Sequence, residues 1–196
     1  IMRALFVTRG YPGLGRIMGS IALNDIFSDF YQPKYESVFT SYLSGYTFLK
    51  EIGVKCENLY PSDYYYRPNA FCNPFGIEGQ VIQRIITQFE PDIAIVDGEP
   101  LLIDLLVEGW GIPVIVLTHP SDLYNPDVKD RAIDLFRYYY SRAKMVIAHG
   151  IERLPENYVH PGKTSEKLFE CNTLVRTEIA RVGKQRQDHF IRHNSS

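Results

Sequence analysis

The sequence predicts an α/β fold with a mainly parallel sheet of about six or seven strands between helical layers. Short apolar runs, bounded by glycine and proline, recur along the chain and are typical of buried parallel strands. Segments with helical spacing lie between these runs, and this alternation favours parallel strand pairing. A chain of 196 residues with 45% hydrophobic residues is long enough to bury one sizeable core.

The first unit is a strand, a glycine-rich turn and a helix. The apolar run 4–7 predicts the strand, and the apolar stripe that begins at Ile17 predicts the helix. Between them lies the turn, in which we single out Tyr11, Gly13, Gly15 and Arg16. Glycines let a backbone approach a ligand, and the positive end of a helix attracts an anion or a sugar phosphate. The alternative is a tight connection without a ligand.

This turn is a poor dinucleotide fingerprint, since Met18 stands where the third glycine or alanine belongs. A nicotinamide-dependent dehydrogenase is therefore disfavoured. The rest of the chain continues the alternation of predicted strands and helices. The predicted strands are 35–41, 54–59, 93–96, 113–118, 144–148 and 168–171, and the predicted helices are 42–52, 77–89, 101–108, 126–142 and 177–192.

Composition excludes several classes of protein. The net charge of −2 leaves no general nucleic-acid footprint, although residues 176–196 carry five Lys/Arg against two Asp/Glu. The three cysteines show no metal-ligand spacing and are expected to be free thiols in a reducing compartment. No apolar run reaches membrane-spanning length and no signal peptide is evident, so we expect a cytoplasmic protein.

A loop rich in aromatic residues interrupts the regular alternation. It runs from residue 60 to 76 and contains Tyr64, Tyr65, Tyr66, Phe71 and Phe75. Loops of this length are usually functional, and exposed aromatic side chains often mark an interaction surface. We therefore expect the Tyr64–Phe75 segment to provide peripheral membrane contact, the alternative being a loop that packs its own aromatics on the surface.

Titratable residues follow the predicted strands. Asp97 and Glu99 come after one strand, His119 and Asp122 after the next, and His149 after another. Ligands of open α/β sheets bind outside the carboxyl ends of the strands. A carboxylate or imidazole there is suited to removing a proton from a hydroxyl. For each residue alone, a turn or a satisfied loop side chain is the alternative. No nucleophile elbow, phosphate-binding loop or metal-ligand spacing competes with this interpretation.

Four segments, in order along the chain, resemble GT-B glycosyltransferases of the MurG-like, family-28 type. The turn and helix 13–23 resemble the family's first loop and helix. Residues 89–100 with 111–115 resemble its "PD-hydrophobic-D … GIP" unit. Residues 144–148 resemble the last strand of the N-terminal half, and 172–179 the junction of the two halves.

The resemblance implies a Rossmann-like domain over 1–175 that binds a sugar or lipid-linked acceptor for inverting transfer. The donor is a nucleotide sugar, with no other cofactor and no metal. Residues 176–196 are then a linker, helical or disordered. The donor-binding half is missing, in cis or as a separate subunit, so the isolated chain is expected to be inactive.

One departure from the family concerns catalysis. The family's loop histidine is Arg16 here, and a guanidinium does not act as a base near neutral pH, although it is suited to holding a phosphate. The general base is then Asp97, Glu99 or His119, or is missing. Gly13 and Gly15 are expected to shape the floor of the site, with Tyr11, Arg16, Asp122 and His149 contacting substrate.

Two other functions remain open at this point. One is half of a GT-B sugar-nucleotide epimerase, whose carboxylates act on the sugar nucleotide itself. The other is a non-enzymatic, flavodoxin-like binding domain. The sequence specifies neither the sugar nor the acceptor.

Overall fold

A parallel sheet of seven strands forms the centre of the protein. The computed structural model describes residues 1–60, 70–127, 131–161 and 167–176. The strands are Met2–Thr8 (β1), Tyr35–Ser41 (β2), Cys56–Asn58 (β3), Ile93–Asp97 (β4), Val114–Thr118 (β5), Met145–His149 (β6) and Leu168–Cys171 (β7). Their spatial order is β3-β2-β1-β4-β5-β6-β7, and every neighbouring pair is parallel. The predicted α/β fold is confirmed.

Helices cover both faces of the sheet and complete a three-layer arrangement. They are Gly15–Tyr31 (α1), Leu43–Glu51 (α2), Ile77–Phe89 (α3), Leu102–Asp104 (α4), Pro120–Leu123 (α5) and Arg131–Tyr140 (α6). Buried side chains of α1 and α2 pack in one core cluster, and those of α3, α4, α5 and α6 pack in a second cluster on the other face. Each strand of the sheet centre is buried on both sides, which explains its continuous apolar sequence.

The strand order reverses between β1 and β4. After β1 the chain moves outward to β2 and β3, and then returns to place β4 on the other side of β1. Thr8 at the end of β1 pairs with Asp97 at the end of β4. The connections that follow these two strands leave in opposite directions, and such a switch point opens a crevice at the carboxyl edge.

Two predicted helices differ from the structure, and a third cannot be compared with it. The predicted helix 101–108 is instead the short α4 followed by a π-helical turn, Leu105–Gly109. Within the described residues, the predicted helix 126–142 corresponds to Arg131–Tyr140, and a separate short helix begins at Pro120, a residue well suited to the first turn. The predicted helix 177–192 and the basic end lie outside the described residues.

The described part of the chain contains no helix that is both long enough and apolar enough to cross a membrane.

Candidate functional site

The carboxyl edge of the sheet brings together five of the predicted site residues. Arg16 comes from the first turn of α1, Asp97 from the end of β4, His119 and Asp122 from the end of β5 and α5, and His149 from the end of β6. These elements are neighbours in space because β4, β5 and β6 are adjacent strands and α1 follows β1. The result is a cluster of charges beside a pair of imidazoles.

Arg16 is held by two carboxylates. Its Nη1 donates to Asp97 Oδ1 at 2.6 Å and to Asp122 Oδ2 at 2.9 Å, while Nη2 donates to Asp122 Oδ1 at 2.8 Å. The contact with Asp122 is therefore bidentate, the strong geometry of guanidinium–carboxylate pairs. Only about 20% of the Arg16 side chain is exposed. Three N–H donors of this guanidinium are thus engaged by protein carboxylates, and the expected contact of Arg16 with substrate stays a prediction.

The two carboxylates lie in different electrostatic environments. Burial raises the pKa of Asp97 to about 6, against the lowering effect of Arg16. Burial also acts to raise the pKa of Asp122, but Arg16, the Thr118 hydroxyl and the His119 N–H outweigh it and bring that pKa below its ordinary value. When both are ionised, one cation faces two anions, and the cluster carries a surplus negative charge.

One oxygen of this cluster has no hydrogen bond. Asp97 is fully buried, and its Oδ2 has no partner among the described residues. Buried polar atoms are normally paired, so a carboxylate with an unpaired oxygen is costly in its ionised form. This agrees with the raised pKa of Asp97.

His119 lies at the opening of the site. Its Nδ1 is 3.2 Å from the backbone oxygen of His149. A carbonyl oxygen only accepts, so this contact is a hydrogen bond when Nδ1 carries the proton of the neutral ring, the tautomer that leaves Nε2 unprotonated. The ring lines a pocket of about 340 Å³. The other lining residues are Pro120, Ser121, Gly150, Ile151, Glu152 and Thr173.

His149 lies beneath this opening rather than in it. Its side chain is only 2% exposed, and the ring packs against α1 at Gly19. Burial, with His119 and Arg16, lowers the pKa of His149 to about 4, so the ring is neutral near pH 7. Among the described residues neither ring nitrogen has a hydrogen-bond partner. His149 contacts His119 both through its backbone carbonyl and through its ring, whose centroid lies 4.7 Å from the centroid of the His119 ring.

Glu99 belongs to a second, separate cluster. Its carboxylate is fully buried and accepts hydrogen bonds from the Tyr42 hydroxyl, from the Cys72 backbone N–H at 2.7 Å and from Arg9 Nη1 at 3.3 Å. Arg9 also donates to the Ala70 carbonyl at 3.0 Å. This cluster fixes the segment that begins at Ala70, and the Glu99 carboxylate is not exposed to a ligand. The sequence analysis did not single out Arg9, although it directly follows β1.

The glycines that require close approach differ from those that the sequence emphasised. A Cβ atom at Gly13 or Gly15 meets no atom within 4 Å. By contrast, a Cβ at Gly10 lies 2.0 Å from the Tyr42 carbonyl oxygen, and Gly98 has φ +79° with the Arg16 side chain against it. Gly10 therefore allows close packing against Tyr42, and Gly98 allows close packing against Arg16. Tyr11 is half-buried and packs against the core.

The aromatic loop is described only in part, since residues 61–69 lie outside the described ranges. Phe71 packs edge-on against Phe136 and under the Arg9 guanidinium. Phe75 is 94% exposed and borders a largely apolar pocket of about 430 Å³. The expected membrane contact of this loop stays a prediction.

Within the described ranges, no cluster of three or more His, Cys, Asp or Glu side chains has the arrangement of a metal site. An imidazole such as that of His119 is suited to acid–base chemistry, and paired carboxylates such as those of the Arg16 cluster are suited to electrostatic support of a nearby cation.

Comparison with solved structures identifies the fold. The chain is similar to a UDP-glucosyltransferase from Polygonum tinctorium capable of glucosylating indoxyl (TM-score 0.59, 14% identity, 90% of this chain and 53% of that chain). It is similar to MurG from Acinetobacter baumannii (TM-score 0.55, 14% identity, 90% and 46%). It is also similar to the glycosyltransferase SnogD from Streptomyces nogalater (TM-score 0.50, 16% identity, 75% and 45%).

These similarities define an α/β, Rossmann-like domain of the GT-B glycosyltransferase fold. The chain spans about half the length of the solved structures that it matches. No protein-family model matches the sequence, and no curated protein matches it significantly.

Proposed function

We propose that the chain is the N-terminal, acceptor-binding half of an inverting, MurG-like GT-B glycosyltransferase. Three observations support this proposal: the fold, the half-length match to two-lobed transferases, and an acid–base site at the carboxyl edge of the sheet. A second lobe, in the same polypeptide or as a partner subunit, supplies the nucleotide-sugar donor. The acceptor occupies the pocket of about 340 Å³ beside His119.

His119 is the general base in this proposal, and its position carries the argument. A base must come within hydrogen-bond distance of the hydroxyl that it deprotonates. The carboxylates of Asp97 and Glu99 are fully buried, whereas His119 is only partly buried and is one of the residues that line an open pocket. The His149 carbonyl fixes the Nδ1–H tautomer, which presents the basic Nε2 as the remaining nitrogen.

The Arg16 cluster supports the charge that forms during catalysis. When Nε2 takes the acceptor proton, His119 becomes an imidazolium. The surplus negative charge of Asp97 and Asp122 lies close by, and Asp122 accepts a hydrogen bond from the His119 backbone N–H at 3.3 Å. Opposite charge nearby stabilises the cation. Arg16 is then a positioning residue that keeps two carboxylates together, rather than a phosphate ligand.

The transfer step follows from these roles. The acceptor hydroxyl gives its proton to Nε2 of His119 as its oxygen attacks the anomeric carbon of the donor. The bond from that carbon to the nucleoside diphosphate breaks, and the diphosphate leaves with the bonding electrons. Direct displacement of this kind inverts the anomeric centre and requires one base and a clamp on the leaving group, which the second lobe provides.

Turnover by a His119→Gln variant tests this proposal. The chain is assayed together with its donor-binding half, by release of nucleoside diphosphate with a panel of sugars and acceptors. Removing a general base should lower kcat by about 10²–10⁴-fold with little change in KM for the donor.

The exposed Glu156→Gln variant is the control, since Glu156 does not line the pocket. It should keep the activity of the unmodified enzyme. A His119→Gln enzyme with normal kcat would remove His119 as the base.

A further inference from the structure

We infer that the acceptor group seated against His119 is an uncharged or amine-bearing hydroxyl compound that carries no phosphate or carboxylate next to the reacting hydroxyl. This inference rests on the proposed function and adds the substrate class of the same pocket. It follows from the distribution of charge around the pocket, which is negative on its wall and behind it.

Among the described residues that line the pocket, none is a cation that could bind an anionic ligand. The polar side chains of the pocket are the His119 ring, the hydroxyls of Ser121 and Thr173, and the carboxylate of Glu152. Sites for phosphate or carboxylate normally present arginine, lysine or several backbone N–H groups. Hydroxyls and a carboxylate are instead suited to accept from, and donate to, the hydroxyls of a sugar.

Two arginines of the described residues near this edge of the sheet are paired with carboxylates. Arg16 lies behind His119, but its donors serve Asp97 and Asp122. Arg9 is paired with Glu99 in the second cluster. Arg16 offsets only one of the two negative charges in its cluster, and the charge of Arg9 is balanced by Glu99.

Two arginines in the described residues that follow β6 do not line the pocket either. Arg153 follows Glu152 but does not line the pocket, and its guanidinium donates to the Cys171 carbonyl at 2.9 Å and to the Asn172 side chain. Arg176 follows Thr173 by three residues and does not line the pocket either. A phosphate entering here therefore meets the Glu152 carboxylate and the surplus charge of the Arg16 cluster, without a compensating cation from the lining residues.

A phosphate in the pocket and the carboxylates around it repel each other, and a dianion is repelled twice as strongly as a monoanion. We expect a phosphorylated sugar to bind at least about tenfold more weakly than its neutral parent. An amine at the same position is tolerated, because the local potential favours a cation.

Matched sugar pairs test the inference. Glucose, mannose and N-acetylglucosamine are titrated into the ¹⁵N-labelled chain, each beside its 6-phosphate, at constant ionic strength and pH 7.5. The neutral sugar that binds should shift the signals of His119, Ser121 and Thr173, and its 6-phosphate should bind at least about tenfold more weakly. Tighter binding of the phosphate at the same residues overturns this inference and leaves the acceptor site intact.

No shift at these residues with any sugar overturns the acceptor site, and the inference with it, so the two failures are distinguishable. Two variants, each with one glutamate replaced by lysine, test whether the weaker binding of the 6-phosphate depends on the pocket wall. Glu152→Lys should bring the affinity for the 6-phosphate to within about threefold of that for the neutral sugar, whereas Glu156→Lys, with the same change in net charge, should preserve most of the discrimination. Equal effects of both variants contradict the assignment to the pocket wall.

Discussion

The Asp97→Asn variant should change how the stability of the protein depends on pH. Asp97 is fully buried, and its pKa is raised from an ordinary 3.8 to about 6. The folded state therefore holds this proton more tightly than the unfolded state. As pH rises through this window the folded carboxyl must ionise without full compensation, so its contribution to stability falls.

The size of this effect follows from the separation of the two pKa values. About two pH units at about 1.4 kcal/mol each correspond to roughly 3 kcal/mol, lost between about pH 4 and pH 6. Asparagine has the same shape but does not titrate. The free energy of unfolding of the unmodified protein minus that of Asp97→Asn should thus fall by about 3 kcal/mol between pH 4 and pH 7.

Urea unfolding followed by circular dichroism at pH 4, 5, 6 and 7 measures this difference. Asp134→Asn, on the exposed side of α6, reports what removal of a surface carboxylate does. Asp122→Asn gives a companion of opposite sign, because the pKa of Asp122 is lowered and its ionised form is the stabilising one. A difference for Asp97→Asn that stays constant or grows with pH would refute the reasoning about the buried cluster.

Two further substitutions probe the packing around the site. Gly19→Ala places a Cβ 2.9 Å from His149 Cε1 and should lower the free energy of unfolding in urea by about 1–3 kcal/mol. In the double variant, His149→Ala should largely remove this cost. If the effects of the two substitutions simply add, the contact between these residues is not the cause. Glu99→Ala removes the buried partner of Arg9 and of the Cys72 N–H and should cost about 3–5 kcal/mol. A loss below about 1 kcal/mol would show that the Glu99 cluster does not stabilise the segment that begins at Ala70.

Much of the fold was predictable because burial leaves a direct trace in the sequence. Tyr35–Ser41 and Ile77–Phe89 have the predicted bounds, since an apolar run and a 3.6-residue apolar stripe specify them locally. The π-helical turn Leu105–Gly109 was not predictable, because it differs from an α-helix in hydrogen bonding and not in its pattern of apolar residues.

The composition of the site was predictable, but its internal roles were not. The carboxyl ends of adjacent parallel strands converge, which placed Asp97, His119 and Asp122 on one edge. Asp97 and Glu99 are two residues apart, yet Gly98 turns the chain with φ +79° and directs them into separate clusters. Such a turn, and the resulting burial of both carboxylates, depends on packing that no local pattern records.

The partner of Arg16 was also hidden from the sequence. Position 16 reads as an arginine in an anion-binding turn, and its two carboxylates lie 81 and 106 residues further along the chain. Long-range ion pairs of this kind depend on strand order, which fixes which loops meet. The prediction that Arg16 contacts a phosphate follows from the turn alone and does not include these partners.

The protonation of the His119 ring tests the central claim most directly. In long-range ¹H–¹⁵N correlation spectra of the ¹⁵N-labelled chain, we expect the neutral ring to show a proton on Nδ1, an unprotonated Nε2, and a shift of the Nε2 signal when a neutral sugar binds. A proton on Nε2 in the neutral ring, unmoved by any acceptor, would contradict this claim.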